Sequence, residues 1–309
     1  MDREEPPEDG FVYLVPANIF GYDIQEKKWM GLRVDKISEI RWNKESFETL
    51  SIDIQSKELI EALVTNKISA NKATDLVNNK GNGLIILLHG GPGTGKTLTA
   101  ESVAEIAKKP LYRVTCGDIG TEPREVEKYL QKVFHLGKIW HCVVLLDEAD
   151  VFLEQRTLAD LSRNALVLVF LRTLEYYDGI LILTSNRVGT FDEAFKSRIQ
   201  LALHYKSLTT QQRKDIWTNF ILRLEKLGED ADTETILKHV DELAQSKLNG
   251  RQIRNAITTA RQLALFKKQT VSLEHLTHSI KVSGKFEEYL GDLQGQIDDE
   301  DMAREQGIR

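Results

Sequence analysis

The strongest chemical signal in the sequence is a glycine-rich segment that ends in lysine and threonine. Residues 90–97 read GGPGTGKT, which matches the phosphate-loop (Walker A) pattern G-x-x-x-x-G-K-[ST]. Glycines let backbone N–H groups approach phosphate oxygens, the lysine adds a positive charge, and the threonine hydroxyl can reach Mg²⁺. An ordinary glycine-rich turn does not explain a lysine in the first turn of the next helix. We therefore expect ATP to be bound by Gly91, Pro92, Gly93, Thr94, Gly95, Lys96, Thr97 and Leu98.

A second signal is an apolar run that ends in acidic residues, as in a Walker B motif. Residues 143–150 read VVLLDEAD. A strand that ends in aspartate beside a phosphate loop places a carboxylate near the metal, so we expect Asp147 and Thr97 to hold Mg²⁺. Glu148 would act as the general base that polarises the attacking water, while Lys96 reaches the β- and γ-phosphates. Asp150 is interpreted as a structural cap or ion-pair partner.

Alternating strands and helices are needed to bring these residues together. Short apolar runs predict strands, and apolar residues at helical spacing predict the helices between them. The predicted strands are residues 84–89, 111–115, 143–147, 180–184 and 200–204. The predicted helices are residues 56–78, 96–107, 124–136 and 161–176. This alternation predicts an α/β fold with a parallel sheet and helices on both faces, followed after residue 209 by a small all-α domain.

The overall composition argues against several classes of protein. The net charge is −6 and the isoelectric point about 5.8, so nucleic acid is not an expected partner. No apolar run reaches the ~18 residues that span a bilayer. Cys116 and Cys142 are interpreted as buried thiols in a reducing compartment. No targeting segment is visible, although the N-terminus could be truncated, so we expect a cytoplasmic or nuclear protein.

Four motifs, taken in order, resemble those of the AAA+ ATPases of the AAA family. They are GPGTGKT at residues 91–97, VVLLDEAD at 143–150, ILILTSNR at 180–187 and FDEAFKSRI at 191–199. The resemblance covers about residues 45–285. In detail, the sequence most resembles fungal AAA ATPases of unassigned role, which carry a larger N-terminal region. It implies a five-stranded sheet in the order 5-1-4-3-2, a helical lid and Mg²⁺-dependent ATP hydrolysis. It also implies a homo-oligomer, expected to be a hexamer, in which a neighbouring subunit completes each site.

With this resemblance, the chain divides into five segments. Residues 1–10 and the acidic tail 291–309 are expected to be disordered. Residues 11–50 contain short β-leaning pieces, and we interpret them as the C-terminal end of a larger β-rich N-terminal domain. Residues 51–206 would be the α/β ATPase core and residues 207–290 the helical lid.

The resemblance also implies two site residues beyond the phosphate loop. Asn186, after the fourth core strand, matches the sensor 1 position that orients the water and senses the γ-phosphate. Arg198 matches the arginine finger that acts on a neighbouring subunit, and such a finger can contribute ~10³–10⁵ in rate. The usual pattern has two arginines separated by Pro-Gly, whereas this chain has one, so Arg187 or Arg163 could assist.

In one region the resemblance leaves two candidate residues, and in another the sequence departs from the family pattern. Residues 248–251 (LNGR) resemble the start of the sensor 2 helix, where Arg251 would touch the γ-phosphate of its own subunit. Arg254, one turn further on, is the competing candidate. Residues 116–123 (CGDIGTEP) replace the pore loop of peptide-threading members and contain no aromatic residue, so the sequence does not support threading.

Two functions of different kinds remain open from the sequence. The first is an ATP-hydrolysing oligomer that remodels an unknown protein partner. The alternative is an ATP-dependent assembly switch with slow hydrolysis and no substrate threading, which the missing pore aromatic favours. A nucleic-acid motor is disfavoured by the acidic charge. A small-molecule kinase would need neither Asn186 nor an arginine from a neighbour.

Overall fold

The chain divides into two compact units, residues Met1–Trp42 and Asn43–Arg309, in the computed structural model. The structure describes residues 16–69, 83–120, 122–153, 161–186 and 191–293. The segment 1–10, most of the tail 291–309 and the last part of the helix predicted for 56–78 therefore lie outside the described residues. Arg187 lies outside them as well.

The described part of the first unit is a β-hairpin followed by one turn of 3-10 helix, Val34–Lys36. Strands β1 (Asn18–Asp23) and β2 (Lys28–Arg33) pair antiparallel. The Asp23 carboxylate accepts backbone hydrogen bonds from Gln25 and Glu26 at 2.8 and 3.0 Å, which closes the turn between the strands. Residues 37–42, which the sequence analysis treated as β-leaning, form no strand in the structure.

The second unit contains the remaining elements. In chain order they are α1 Glu45–Glu48, α2 Ile54–Ser69, β3 Leu84–Gly90, α3 Lys96–Ala107, β4 Leu111–Thr115, α4 Cys116–Ile119, α5 Pro123–Ile139, β5 Val143–Asp147, α6 Asp150–Leu153, α7 Leu161–Glu175, β6 Ile180–Ser185, α8 Glu193–Lys196, β7 Leu201–Tyr205, α9 Thr210–Lys226, α10 Thr233–Lys238, α11 Val240–Gln245, α12 Gly250–Lys267 and α13 Leu273–Leu293. Strands and helices alternate as far as β7, and the elements described from there to Leu293 are helices.

The sheet of this unit has the order β4-β5-β6-β3-β7, and all of its strand pairs are parallel. Counted from β3 as the first core strand, this is the order 5-1-4-3-2, so the predicted fold and topology are confirmed. Strands β5 and β6 are buried at every position, because helices cover both faces of the sheet. The carboxyl ends of β3, β5 and β6 therefore meet at one edge.

Residues 43–50 pack into the core of this second unit. Phe47 and Leu50 are 4% and 7% exposed and share an apolar cluster with Ile60 of α2 and Leu88 of β3. From the sequence, this stretch is expected to belong to the β-leaning segment of residues 11–50. Two apolar side chains in a polar stretch carry no periodicity, which is why their burial under the core is not visible in the sequence.

The C-terminal helices α9 to α13 enclose an apolar core of their own. Trp217 and Ile253 are fully buried in this helical domain. Arg213 is also buried, and its guanidinium donates to the carbonyl oxygens of Ala244 and Leu208 at 2.7 and 2.6 Å. These bonds compensate the burial of a charge. They also connect helix α9 to helix α11 and to the residues just before α9.

Candidate nucleotide-binding site

The phosphate loop joins the end of β3 to the start of α3, and its backbone explains the glycines. Gly93 and Gly95 have φ angles of 70° and 106°, a region that side chains disfavour. Gly90 has a φ of 139°, and a Cβ atom there would lie 2.1 Å from the carbonyl oxygen of Tyr205 on β7. The pattern of glycines thus reflects both backbone twist and the close approach of a neighbouring strand.

Lys96 lies under this loop rather than on the protein surface. It is 7% exposed, and its Nζ donates to the carbonyl oxygens of Gly90 and Gly91 at 2.8 and 2.6 Å. The Thr94 hydroxyl also donates to Gly91, at 2.8 Å. The lysine charge is therefore held within the concave side of the loop, where backbone N–H groups at a helix N-terminus favour an anion. Pro92 and Leu98, in contrast, are exposed.

Thr97 and Asp147 face each other across the site. The Thr97 Oγ1 atom lies 3.3 and 3.4 Å from the two carboxylate oxygens of Asp147, which is 6% exposed. A hydroxyl beside a carboxylate is a set of hard oxygen donors of the type that Mg²⁺ prefers. The residues present therefore fit a magnesium ion held between the phosphate loop and the end of β5.

Thr184 on β6 connects Asp147 with the next residue, Glu148. Its hydroxyl donates to Asp147 at 2.5 Å and accepts a hydrogen bond from the Glu148 backbone N–H at 2.9 Å. Glu148 has a φ of 58°, an unfavourable conformation for a residue with a side chain. No sequence motif assigns a role to Thr184; the parallel register, which pairs Leu146 with Leu183, places the next residue, Thr184, beside Asp147.

Asn186 follows the last residue of β6 directly. Ser185 pairs with His89 of β3, so the chain leaves β6 beside the start of the phosphate loop. Asn186 is half-buried at this edge. The Ser185 hydroxyl donates to the Asp150 carboxylate, which agrees with a structural role for Asp150.

A charged cluster borders Asp147 on the β4 side. The Nη2 atom of Arg113 lies 2.5 Å from an Asp147 carboxylate oxygen. Glu101, one turn after Thr97 on α3, keeps contact with solvent, yet desolvation by the surrounding protein raises its pKa. Arg113 and Arg254 act in the opposite direction on that pKa, whereas Asp147 raises it further. Sequence patterns did not point to Glu101 or Arg113.

The helical domain contacts the phosphate loop at the start of α12. The Gly250 N–H donates to the Gly93 carbonyl at 2.9 Å, and a Cβ atom at Gly93 would lie 2.5 Å from the Asn249 side chain. Asn249 caps α12 by accepting from Gln252 N–H at 2.9 Å. Arg251 and Arg254 are both exposed on α12, and Arg254 lies close enough to Glu101 to lower its pKa.

Comparison with known proteins agrees with this geometry. The family model described as "ATPase family associated with various cellular activities (AAA)" matches residues 86–206. The model described as "Fungal AAA+ ATPase lid domain" matches residues 208–297, so the two together span most of the chain. The chain belongs to the AAA family of ATPases. Family membership supports an ATP-dependent activity, and the helical domain is an AAA lid of the fungal type.

Individual relatives match parts of this AAA chain. Human "ATPase family AAA domain-containing protein 3B" is 32% identical over 161 residues, which is 50% of this chain and 24% of that protein. A "Putative 26S proteasome regulatory subunit homolog" from Methanothermobacter thermautotrophicus is 26% identical over 211 residues, 65% of this chain and 56% of that protein. The chain thus matches about a quarter to just over half of the length of these curated relatives.

A solved structure supports the AAA fold. The crystal structure of the FIGL-1 AAA domain superposes with a TM-score of 0.60 at 21% sequence identity, covering 79% of this chain and 86% of that one. Within the described ranges, none of the helices is both long and apolar enough to cross a membrane.

Arg198 of the AAA core contacts residues away from the phosphate loop. Its guanidinium donates to the Ala194 carbonyl at 2.8 Å and lies 3.5 Å from a Glu175 carboxylate oxygen. Its side chain is 29% exposed. Arg163 lies in the first turn of α7 and is exposed. Among the described residues of this chain, the structure therefore does not bring Arg198 to Lys96 or Asp147.

A stacked histidine pair borders the phosphate loop on the β7 side. The rings of His89 and His204 lie 4.9 Å apart and are nearly parallel, and Phe191 contacts His89 edge-on at 5.6 Å. Burial, together with the nearby His204 and Lys96, lowers the pKa of His89 to about 4. His89 is therefore neutral at pH 7 and does not add a positive charge beside Lys96.

Proposed function

We propose that this AAA chain binds ATP with Mg²⁺, hydrolyses it as a homo-oligomer, and uses the cycle to remodel a protein partner. The observation that carries the proposal is the approach of Thr97 to Asp147 at 3.3 Å, next to Glu148 and beside the buried Lys96. This arrangement unites a phosphate-binding loop, a metal-binding pair and a candidate base. A glycine-rich turn that bound no nucleotide would not need these carboxylates.

Each residue has a distinct part in the proposed reaction. Lys96 and the loop N–H groups bind the phosphates, while Thr97 and Asp147 hold the metal, whose charge offsets that of the phosphates. Glu148 accepts a proton from the attacking water, and Thr184 fixes the backbone from which its side chain departs. Asn186 orients that water from the end of β6.

A neighbouring subunit completes the site in this proposal. Arg198 contacts the Ala194 carbonyl and lies near Glu175 in its own chain, at the C-terminal side of helix α8. An arginine held in this way can be presented to the γ-phosphate of an adjacent copy, where it would stabilise the charge of the transition state. The AAA family is generally oligomeric, and we propose a hexamer.

One observation favours the second candidate, an ATP-dependent assembly switch that does not thread a substrate. In α4, which occupies the pore-loop position, Ile119 is 5% exposed and Asp118 accepts hydrogen bonds from Thr115. Residues 116–123 contain no aromatic residue. The segment thus offers no aromatic side chain, and no exposed isoleucine, with which to grip a peptide.

Measurements of ATP binding and phosphate release test the proposed chemistry. Lys96→Ala should abolish ATP binding, whereas Glu148→Gln should keep it and slow Mg²⁺-dependent phosphate release by ~10²–10⁴-fold. Glu234→Gln is the matched control, because Glu234 is 83% exposed in an ion pair within the lid. Phosphate release that is unchanged in Glu148→Gln would remove Glu148 as the base. A wild-type protein that does not bind ATP would contradict both functions.

Particle mass, measured by light scattering with ADP, ATP and no nucleotide, separates the two functions. A remodelling enzyme should form an oligomer with ATP and turn over steadily. A switch should change its oligomeric state with nucleotide but release almost no phosphate. Rapid ATP hydrolysis by a monomer would contradict the proposal that a neighbouring subunit completes the site.

A further inference from the structure

The carboxylate of Asp147 is held from two sides by residues of neighbouring strands. One oxygen accepts from Thr184 Oγ1 at 2.5 Å, and the other accepts from Arg113 Nη2 at 2.5 Å. Thr97 lies at longer distances of 3.3 and 3.4 Å from the two oxygens. The arginine side chain is 52% exposed and the aspartate 8%, so the ion pair joins a buried carboxylate to a cation at the surface.

The strand register explains why Arg113 reaches the metal-binding aspartate. Asp147 of β5 pairs with Thr115 of β4, and Arg113 precedes Thr115 by two residues. Alternate residues of a strand lie on the same face of the sheet, so Arg113 is the diagonal neighbour of Asp147. The strand register therefore places the positive charge of Arg113 beside Asp147.

We propose that Arg113 is a positioning residue that competes with Mg²⁺ for Asp147 and thereby sets the metal concentration needed for tight ATP binding. This inference rests on the proposed function. A guanidinium that pairs with one Asp147 oxygen reduces the negative charge available to a divalent cation. It also repels that cation directly, since both carry positive charge.

Glu101 is a second carboxylate close enough to Arg113 to interact with it electrostatically. It lies one helical turn after Thr97, and Arg113 and Asp147 both influence its pKa. A guanidinium that moves from Asp147 towards Glu101 would free an oxygen for the metal without losing a negative partner. Arg254 of the lid also lies in the electrostatic surroundings of Glu101.

The test is the Mg²⁺ dependence of the binding of a fluorescent ATP analogue, measured without turnover. Arg113→Gln should lower the Mg²⁺ concentration for half-maximal tight binding by roughly threefold to tenfold. This is the size of effect expected when one positive charge, partly screened by solvent, is removed near the metal. Arg113→Lys, which keeps the charge, should remain near the wild type. Arg172→Gln is the matched control, because Arg172 is 61% exposed and pairs with Glu127 on another part of the core.

A double-mutant cycle separates competition from a general field effect. Glu101→Gln should raise the Mg²⁺ requirement in the wild type, because Arg113 then has only Asp147 as a partner. In the Arg113→Gln background the same change should have little effect. Equal effects of Glu101→Gln in both backgrounds would show a general field effect that Arg113 does not mediate, and would overturn the exchange of Arg113 between the two carboxylates.

Two further outcomes are distinguishable. An unchanged or higher Mg²⁺ requirement in Arg113→Gln, with a wild-type melting temperature, would overturn the competition while leaving the proposed function intact. A wild-type protein that does not bind the analogue at any Mg²⁺ concentration would overturn the proposed function and the inference with it.

Discussion

The carbonyl oxygen of Gly93 in the phosphate loop accepts a hydrogen bond from the backbone N–H of Gly250 in the lid, at a distance of 2.9 Å. The two glycines lie far apart in sequence, yet this bond joins the nucleotide-binding loop directly to the start of helix α12. A lid movement must therefore stretch or break a bond to the loop that binds phosphate. The position of the lid and the affinity for nucleotide are expected to be coupled.

Gly93→Ala should disrupt this junction. The φ of 70° costs a residue with a side chain ~1–2 kcal/mol, and the new Cβ atom would lie 2.5 Å from the Asn249 side chain. We expect a lower melting temperature. We also expect an ATP affinity reduced by roughly tenfold, because ~1–2 kcal/mol of strain in the ATP-bound state weakens binding by about that factor. Calorimetric melting and binding of a fluorescent ATP analogue measure the two effects.

Gly117→Ala is the control for Gly93→Ala. Gly117 lies in helix α4, and a Cβ atom there would meet only the Thr115 hydroxyl, at 3.8 Å. Alanine is the better helix former, so this variant should be neutral or slightly more stable. Equal ATP affinity in both alanine variants would show that the Gly93–Gly250 junction does not control binding.

Thr184→Val should separate metal-site geometry from nucleotide affinity. Valine has the shape of threonine, but it removes the bond to Asp147 and leaves the Glu148 N–H without its acceptor. Losing buried hydrogen bonds costs ~1–3 kcal/mol of stability. Turnover should fall by roughly tenfold or more, since Glu148 would be less well positioned, while ATP binding through Lys96 persists.

Thr173→Val is the control for the change at Thr184. The Thr173 hydroxyl donates to the Val169 carbonyl within helix α7, at 2.8 Å, and has no part in the site. That carbonyl can also be satisfied by its own helix, so stability should change little. If Thr184→Val retained full turnover, the role of Thr184 in positioning Glu148 would be wrong.

The core strands and the phosphate loop could be predicted from the sequence because both depend on local patterns. Strands β4 and β5 have the predicted bounds, since apolar runs fix strands that are buried on both faces. Thr184 and Arg113 could not be found in this way. Their roles arise from pairing between strands distant in sequence, which places them beside Asp147.

The same limit applies to the arginine of the lid. The LNGR motif at residues 248–251 predicts that Arg251 contacts the γ-phosphate, with Arg254 as the competing candidate. In the structure both arginines are exposed, and Arg254 lies in the electrostatic surroundings of Glu101. The choice depends on which face of α12 is turned towards the site, and a short motif does not determine that face. The role of either arginine at the phosphates stays a prediction.

Arg198→Ala should retain ATP binding and lose turnover. Arg198 contacts the Ala194 carbonyl rather than the phosphate loop of its own chain, so its removal should spare the binding site. Mixing Arg198→Ala with Glu148→Gln protein should restore part of the activity, because a Glu148→Gln subunit still supplies Arg198 to its neighbour. Phosphate release at a fixed total protein concentration measures the recovery.

Lys196→Ala is the control for this experiment, since it removes an exposed positive charge at the end of helix α8, two residues before Arg198. It should leave turnover unchanged and give no gain on mixing. Full activity of Arg198→Ala alone would rule out its role as a finger. Complete absence of recovery in mixtures that form oligomers would contradict its action on a neighbouring subunit.

The acid sensitivity of the fold should depend on His89. Its pKa in the folded protein is about 4, compared with the ordinary value of 6.5, because of burial and the nearby His204 and Lys96. Between these values the unfolded chain binds more protons, so the contribution of neutral His89 to stability is complete above pH 6.5 and is lost as the pH falls towards 4. His89→Phe can keep the ring contacts with His204 and Phe191, which lie 4.9 and 5.6 Å away, but it cannot titrate. Melting temperatures from pH 4 to 7 should therefore fall less steeply for His89→Phe than for the wild type. Carboxylates titrate in the same window in both proteins, so the difference between the curves isolates the histidine. His278→Phe, at an exposed position on α13, should follow the wild-type curve. Parallel curves for His89→Phe and the wild type would show that burial of neutral His89 does not limit stability in acid.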